Sequence, residues 1–169
     1  MINIHSDDMV LTPTGLRFRN RLYPCTIGRS GLIDADAKRE GDGATPRGVH
    51  RIVGMLYRPD RIAAPAPWAS VIGTTDLWSD DVRDEDYNQL VQAPYPYSHE
   101  VMRRADPMYD LVLVTDWNYP DAVPGRGSAI FMHQWRRPHG RTAGCVALSR
   151  RDLHDIAARI QPGTRLIIR

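Results

Sequence analysis

The chain is predicted to be mainly β with one or two helices. Three observations lead there. Short apolar or alternating runs recur between turn residues, the pattern of a strand meander. Gly 13 and Pro 13 among 169 residues favour many turns and few long helices. Only one segment combines helical spacing with a capping residue and a stop signal. No repeat, low-complexity tract or composition break divides the chain, so residues 1–169 are expected to form a single domain.

The elements follow in order. Ile2–Ile4, Met9–Leu11, Leu16–Phe18 and Tyr23–Ile27 read as strands, with Thr14-Gly15 turning between two of them. Val49–Tyr57 is a further strand leading away from Thr45-Pro46-Arg47-Gly48, which reads as a turn. Residues 59–70 carry Pro59, Pro65 and Pro67 and are expected to be irregular. A weaker helical pattern covers Asp84–Val91. Leu111–Thr115 and Ala129–His133 are continuous apolar runs, as in central strands buried on both faces, and the Pro/Gly-rich stretch from Pro120 to Ser128 loops between them. Cys145–Leu148 is a short apolar run. Ser149 then caps a helix with Asp152 as its capping-box partner, and Leu153, Ile156, Ala157 and Ile160 supply the apolar face. Pro162-Gly163 stops it, and Thr164–Ile168 closes the chain as a strand.

Composition narrows the function. Apolar content of 42% and charged content of 25% are ordinary for a globular protein, and a net charge of +2 is too small to argue for nucleic acid. Arginines do cluster, at Arg136, Arg137 and Arg141 and again at Arg150 and Arg151; they suit an anionic small substrate or form a solvated rim. The first eight residues have neither a basic nor an apolar region of the signal-peptide kind, and no stretch approaches a membrane span. A cytoplasmic protein is expected, or a periplasmic one if a leader has been trimmed. No membrane partner is expected, and no feature sets the oligomeric state.

Met132-His133 followed by Thr142-Ala143-Gly144-Cys145 carries the chemistry. A thiolate is the nucleophilic form of cysteine, and a neighbouring imidazole is the usual means of generating it near neutral pH. Gly144 has no side chain, so its N–H and that of Cys145 are expected to face one developing oxyanion. The residues therefore point to covalent acyl transfer, with a cysteine packed as a small hydrophobe as the other reading. Cys25 and Cys145 could also form a bridge, which would consume the nucleophile. His99, His133, His139 and Cys145 show no recognised ligand spacing, so no metal and no cofactor is expected. Lys38 to Gly48 lacks the Gly-Lys-Ser/Thr ending of a phosphate loop. Trp78, Asp80 and Asp81 are expected to rim a cleft or cap a loop.

Gly127-Ser128-Ala129-Ile130-Phe131-Met132-His133 and Thr142 to Leu148 resemble the L,D-transpeptidase catalytic domain, the YkuD-like family. Gly28-Arg29-Ser30-Gly31, Lys38 to Gly48, Trp78-Ser79-Asp80-Asp81, Tyr87-Asn88 and Ser98-His99-Glu100 are similar to its shorter single-domain branch, whose signal-less members look like cytoplasmic L,D-carboxypeptidases. The resemblance implies a β-sandwich-like fold and a peptidoglycan tetrapeptide or muropeptide substrate. Cleavage falls between the L-centre of its third, diamino acid residue and the terminal D-Ala. It also implies Cys145 as nucleophile, His133 as base, and Gly144 with Cys145 as oxyanion donors.

Two positions depart from the family's widespread pattern: Ala143 replaces a second histidine, and Ala147 replaces an arginine or asparagine. Arg141, or the pair Arg136 and Arg137, is therefore expected to hold the substrate carboxylate, with Arg47 next in line. Gln134 is expected to orient the base, Thr142 to contact substrate, and the pair His99-Glu100 to line it as a second site element or to serve structure as a loop cap. The reading is an L,D-carboxypeptidase trimming muropeptides in cell-wall recycling. Alternatives are a crosslinking L,D-transpeptidase and an inactive wall-peptide binding module.

Overall fold

The computed structural model describes residues 2–169 and bears out the mainly-β prediction, with one α-helix. Fifteen strands appear in chain order: β1 (Met9–Thr12), β2 (Gly15–Phe18), β3 (Arg21–Tyr23), β4 (Cys25–Thr26), β5 (Leu32–Ile33), β6 (Thr45–Pro46), β7 (Gly48–Tyr57), β8 (Ser70–Val71), β9 (Asp76–Ser79), β10 (Leu90–Gln92), β11 (His99–Val101), β12 (Leu111–Thr115), β13 (Phe131–Gln134), β14 (Val146–Leu148) and β15 (Arg165–Ile168). The helix α1 (Arg150–Ala157) lies between β14 and β15.

One large mixed sheet runs β3-β2-β1-β15-β7-β12-β13-β14-β4, with β8 added beside β7. Its two ends are β3 and β4, separated in sequence by Pro24 alone. The sheet therefore has to curl until its ends meet, which gives a nearly closed barrel. Tyr23–Ile27 does not form one strand for the same reason. Proline has no N–H for a ladder, and the chain changes sheet edge there.

The apolar runs bury both faces. In β12, Leu111 and Leu113 enter one core while Val112 and Val114 enter another, as alternation along a strand requires. The first core takes the buried face of α1, Leu153, Ile156 and Ala157. Ser149 caps that helix as expected, its side chain accepting from the N–H of Asp152. The second core contains Trp78, Tyr109, Phe131 and Cys145.

Other sequence expectations fail as well. Asp84–Val91 is not helical: residues 83–89 form turns that lead into β10. Asp84 accepts the N–H of Asp86 and the hydroxyls of Ser79 and Tyr95, and such side-chain acceptors compete with helix. Ile2–Ile4 forms no strand; the Asn3 carbonyl is taken by Arg165. The small sheet β10-β9-β11 and the pair β5-β6 are too short to show a period in sequence.

Candidate active site

Strands β13 and β14 are parallel neighbours, with Met132 opposite Val146 and His133 opposite Ala147. Parallel neighbours cannot be joined by a tight hairpin, so residues 135–145 form a crossover that carries the arginine-rich loop over the sheet edge. Continuing the register sets Cys145 beside Phe131, and both belong to the second core. His133 lies two residues beyond Phe131 and so presents its side chain on the same face. Cys145 and His133 both line a cleft of about 660 Å³.

The resting geometry around each is specific. The Cys145 thiol donates to the Ala129 carbonyl at 3.1 Å, and its sulfur accepts the Phe131 N–H at 3.4 Å. Burial, then the charge of Glu100, pushes the thiol up to about 12, against the smaller opposing effects of the Phe131 N–H and Lys38. His133 Nδ1 meets the Gln134 carbonyl at 2.8 Å. A carbonyl only accepts, so Nδ1 carries the hydrogen and Nε2 keeps its lone pair. Burial draws this imidazole down to about 4, the Gln134 contact opposing. The pair is therefore neutral thiol and neutral imidazole. This corrects the expectation of a ready-made thiolate: desolvation disfavours both charged forms, and Sγ points to Ala129 rather than to the ring.

The oxyanion expectation also changes. The Gly144 N–H donates to Thr142 Oγ1 at 3.1 Å and is not free, while Thr142 Oγ1 itself donates to the Cys145 carbonyl at 2.6 Å. Thr142 thus shapes the turn before Cys145. Among the described residues the Cys145 N–H has no protein acceptor. Gly144 has φ of +150°, and a Cβ there would lie 3.0 Å from the Ala44 carbonyl, so glycine is demanded by backbone shape.

Supports from distant segments hold this turn. Thr45 Oγ1 donates to the Gly144 carbonyl at 2.7 Å and accepts the Gly28 N–H at 2.9 Å; Thr45-Pro46, expected as a turn, is instead strand β6, paired in parallel with β5. Asn88 Oδ1 accepts the Ala129 N–H at 2.9 Å and the Trp78 indole N–H at 2.9 Å. Ala129 is held at φ of +51°, a strained setting for alanine, at the carbonyl that receives the thiol. Trp78 is buried against Phe131 rather than rimming a cleft, and Asp81 caps its loop through the Arg83 N–H.

Of the arginines expected near substrate, Arg136, Arg137 and Arg141 line the cleft, with Thr142 beside them. Arg141 is exposed and donates to the Arg29 carbonyl at 3.1 Å. Arg47 lies elsewhere, paired with Asp34 at 3.4 Å. Gln134 reaches His133 through its main-chain carbonyl. His99 does not line the cleft; it packs beside Tyr95, with Nδ1 2.7 Å from the Tyr97 carbonyl. Its neighbour Glu100 lines the cleft instead, because alternation along β11 turns the two side chains to opposite faces. Arg29, Arg104 and Tyr109 also line it and were not singled out in the sequence. His139 packs at a tilt against Trp135, ring centroids 5.3 Å apart, outside the cleft.

Cys25 and Cys145 are free thiols, so no bridge forms. Among the described residues, no group of three His, Cys, Asp or Glu side chains could hold a metal ion, and no helix is long and apolar enough to cross a membrane. Comparison with family models matches residues 2–168 to YkuD, the L,D-transpeptidase catalytic domain. Comparisons with curated proteins and with solved structures gave no match.

Proposed function

The chain belongs to the YkuD family of L,D-transpeptidase catalytic domains, and from that premise we propose that it is a cysteine-dependent L,D-carboxypeptidase acting on peptidoglycan stem tetrapeptides. The family supplies the cysteine-dependent enzyme class and the peptidoglycan stem peptide. The finer reading rests on one observation: Cys145 and a His133 with an unprotonated Nε2 line a single arginine-bordered cleft.

In this reading, substrate turns the Cys145 sulfur from the Ala129 carbonyl toward the carbonyl carbon at the L-centre of the third residue. Nε2 of His133 takes the thiol proton as the S–C bond forms. The Cys145 N–H stabilises the oxyanion. Collapse breaks the C–N bond, and the imidazolium returns its proton to the departing D-Ala amine. Water then attacks the thioester and loses a proton to His133; collapse breaks the S–C bond, the imidazolium returns that proton to the Cys145 sulfur, and the tripeptide leaves.

Exposed Arg136, Arg137 and Arg141 at the mouth suit the carboxylates of a stem peptide. Trimming of released muropeptides in cell-wall recycling, in the cytoplasm, is the role that fits such a product. Incubation with a disaccharide tetrapeptide tests the reading. Loss of D-Ala to give tripeptide, abolished in Cys145→Ala, is expected. A crosslinked dimer would make it an L,D-transpeptidase, and binding without turnover an inactive module.

A further inference from the structure

Glu100 is the sole acid lining a cleft that five arginines also line, Arg29, Arg104, Arg136, Arg137 and Arg141. Such a neighbourhood should pair the carboxylate, yet it does not. Arg104, the half-buried one, is committed to Asp106 through two hydrogen bonds of 2.9 and 2.7 Å, and among the described residues no arginine reaches Glu100 within ion-pair distance. The Tyr109 hydroxyl donates to Oε2 and fixes the carboxyl plane, while Oε1 has no donor among the described residues. The side chain is half-buried, and Tyr109 is itself locked against His133 and Phe131, at 5.4 and 6.1 Å between ring centroids. A carboxyl held in place on one oxygen and left open on the other is arranged for a cationic ligand group.

We propose that Glu100 is a specificity residue that receives an ammonium group of the substrate, the free amine on the side chain of the third, diamino acid residue. The inference rests on the carboxypeptidase reading for the identity of that substrate. The charge pattern supports it: exposed arginines at the mouth suit the carboxylates of the stem, and the single acid deeper in the wall suits its single side-chain cation. Burial raises the Glu100 pKa above the usual carboxylate value, with the Tyr109 hydrogen bond opposing. An incoming ammonium offsets that burial by pairing the charge. It also offsets the Glu100 charge that, after burial, does most to keep the Cys145 thiol protonated. Amine recognition should therefore raise kcat as well as lower KM.

The experiment compares two tetrapeptides that differ only in the third side chain, one bearing the amine and one with hydrogen in its place. D-Ala release and equilibrium binding are both measured on the full chain. Wild type should favour the amine-bearing peptide by about tenfold or more in kcat/KM, the scale of a hydrogen bond between charged groups. Glu100→Gln should lose that preference, and Glu100→Asp, which keeps the charge, should retain part of it. If the Gln variant does not fold, a preference in the Asp variant equal to that of wild type overturns the proposal. Equal turnover of both peptides by wild type, or a preference that survives in Glu100→Gln, also overturns it and leaves the carboxypeptidase reading standing. Turnover of neither peptide overturns the carboxypeptidase reading. Binding to wild type then decides the Glu100 assignment: tighter binding of the amine-bearing peptide upholds it, and equal or absent binding removes it.

Discussion

Thr45→Val isolates how far the Gly144-Cys145 turn depends on a segment remote from it in sequence. Valine keeps the shape of threonine and deletes the hydroxyl that accepts the Gly28 N–H at 2.9 Å and donates to the Gly144 carbonyl at 2.7 Å. Thr45 is 0% exposed, so water does not replace either partner. Each orphaned buried backbone group costs about 1–3 kcal/mol, and partial relaxation leaves about 2–4 kcal/mol for the two together. That is a large fraction of the 5–15 kcal/mol, roughly, by which domains are stable. Urea unfolding followed by circular dichroism reads it as a lower midpoint at constant slope. The freed carbonyl also lets the Gly144-Cys145 backbone move, and a shift of about 1 Å at a reacting atom costs up to roughly 100-fold in rate. D-Ala release by the folded fraction should fall accordingly. Thr45→Ser keeps both hydrogen bonds and loses one methyl, so it should cost about 1 kcal/mol and retain most activity. Thr45→Val as stable and active as wild type, or Thr45→Ser as damaged as Thr45→Val, would refute the reasoning.

The other expected outcomes are briefer. His133→Ala should lower D-Ala release by about 10²–10⁴, the usual worth of a general base, whereas His139→Ala should change it little; the reverse order would remove His133 as the base. Since burial places the Cys145 and Cys25 thiols at about 12 and about 11, iodoacetamide should label both slowly at pH 7 and faster as pH rises; fast labelling of Cys145 at pH 7, read by peptide mass, would contradict the neutral resting pair. Between pH 6.5 and about 4 the unfolded chain binds a proton that folded His133 refuses, so stability falls with falling pH in that window. The full shift corresponds to about 3 kcal/mol, and thermal melts of His133→Gln should lack that share of the acid loss while keeping those from His50 and His154, which are also lowered. Arg141→Ala should reduce kcat/KM by roughly 30-fold, the low end for a charged pair because this side chain is exposed, and a C-terminally amidated tetrapeptide should not sense the change.

What the sequence determined by itself is local. The helix at Arg150–Ala157 was legible because a cap, an apolar face and a Pro-Gly stop all act within a few residues of one another. Strand β12 was legible because its apolar residues are consecutive, and the His133 and Cys145 pair because both ride on short motifs beside such runs. The tertiary structure decided the rest. Thr45 meets Gly144 across 99 residues and Asn88 meets Ala129 across 41, contacts between segments outside the large sheet and the turns that lead into β13 and β14, made only in the folded chain. Glu100 rather than His99 faces the cleft because the register of β11 on β9 sets which face each side chain takes, and three residues are too few to show a period. The charge state of Cys145 was likewise out of reach of sequence. His133 and Cys145 in the same order could make an ion pair in a wet cleft; here burial holds both neutral, and burial is a property of everything packed around them.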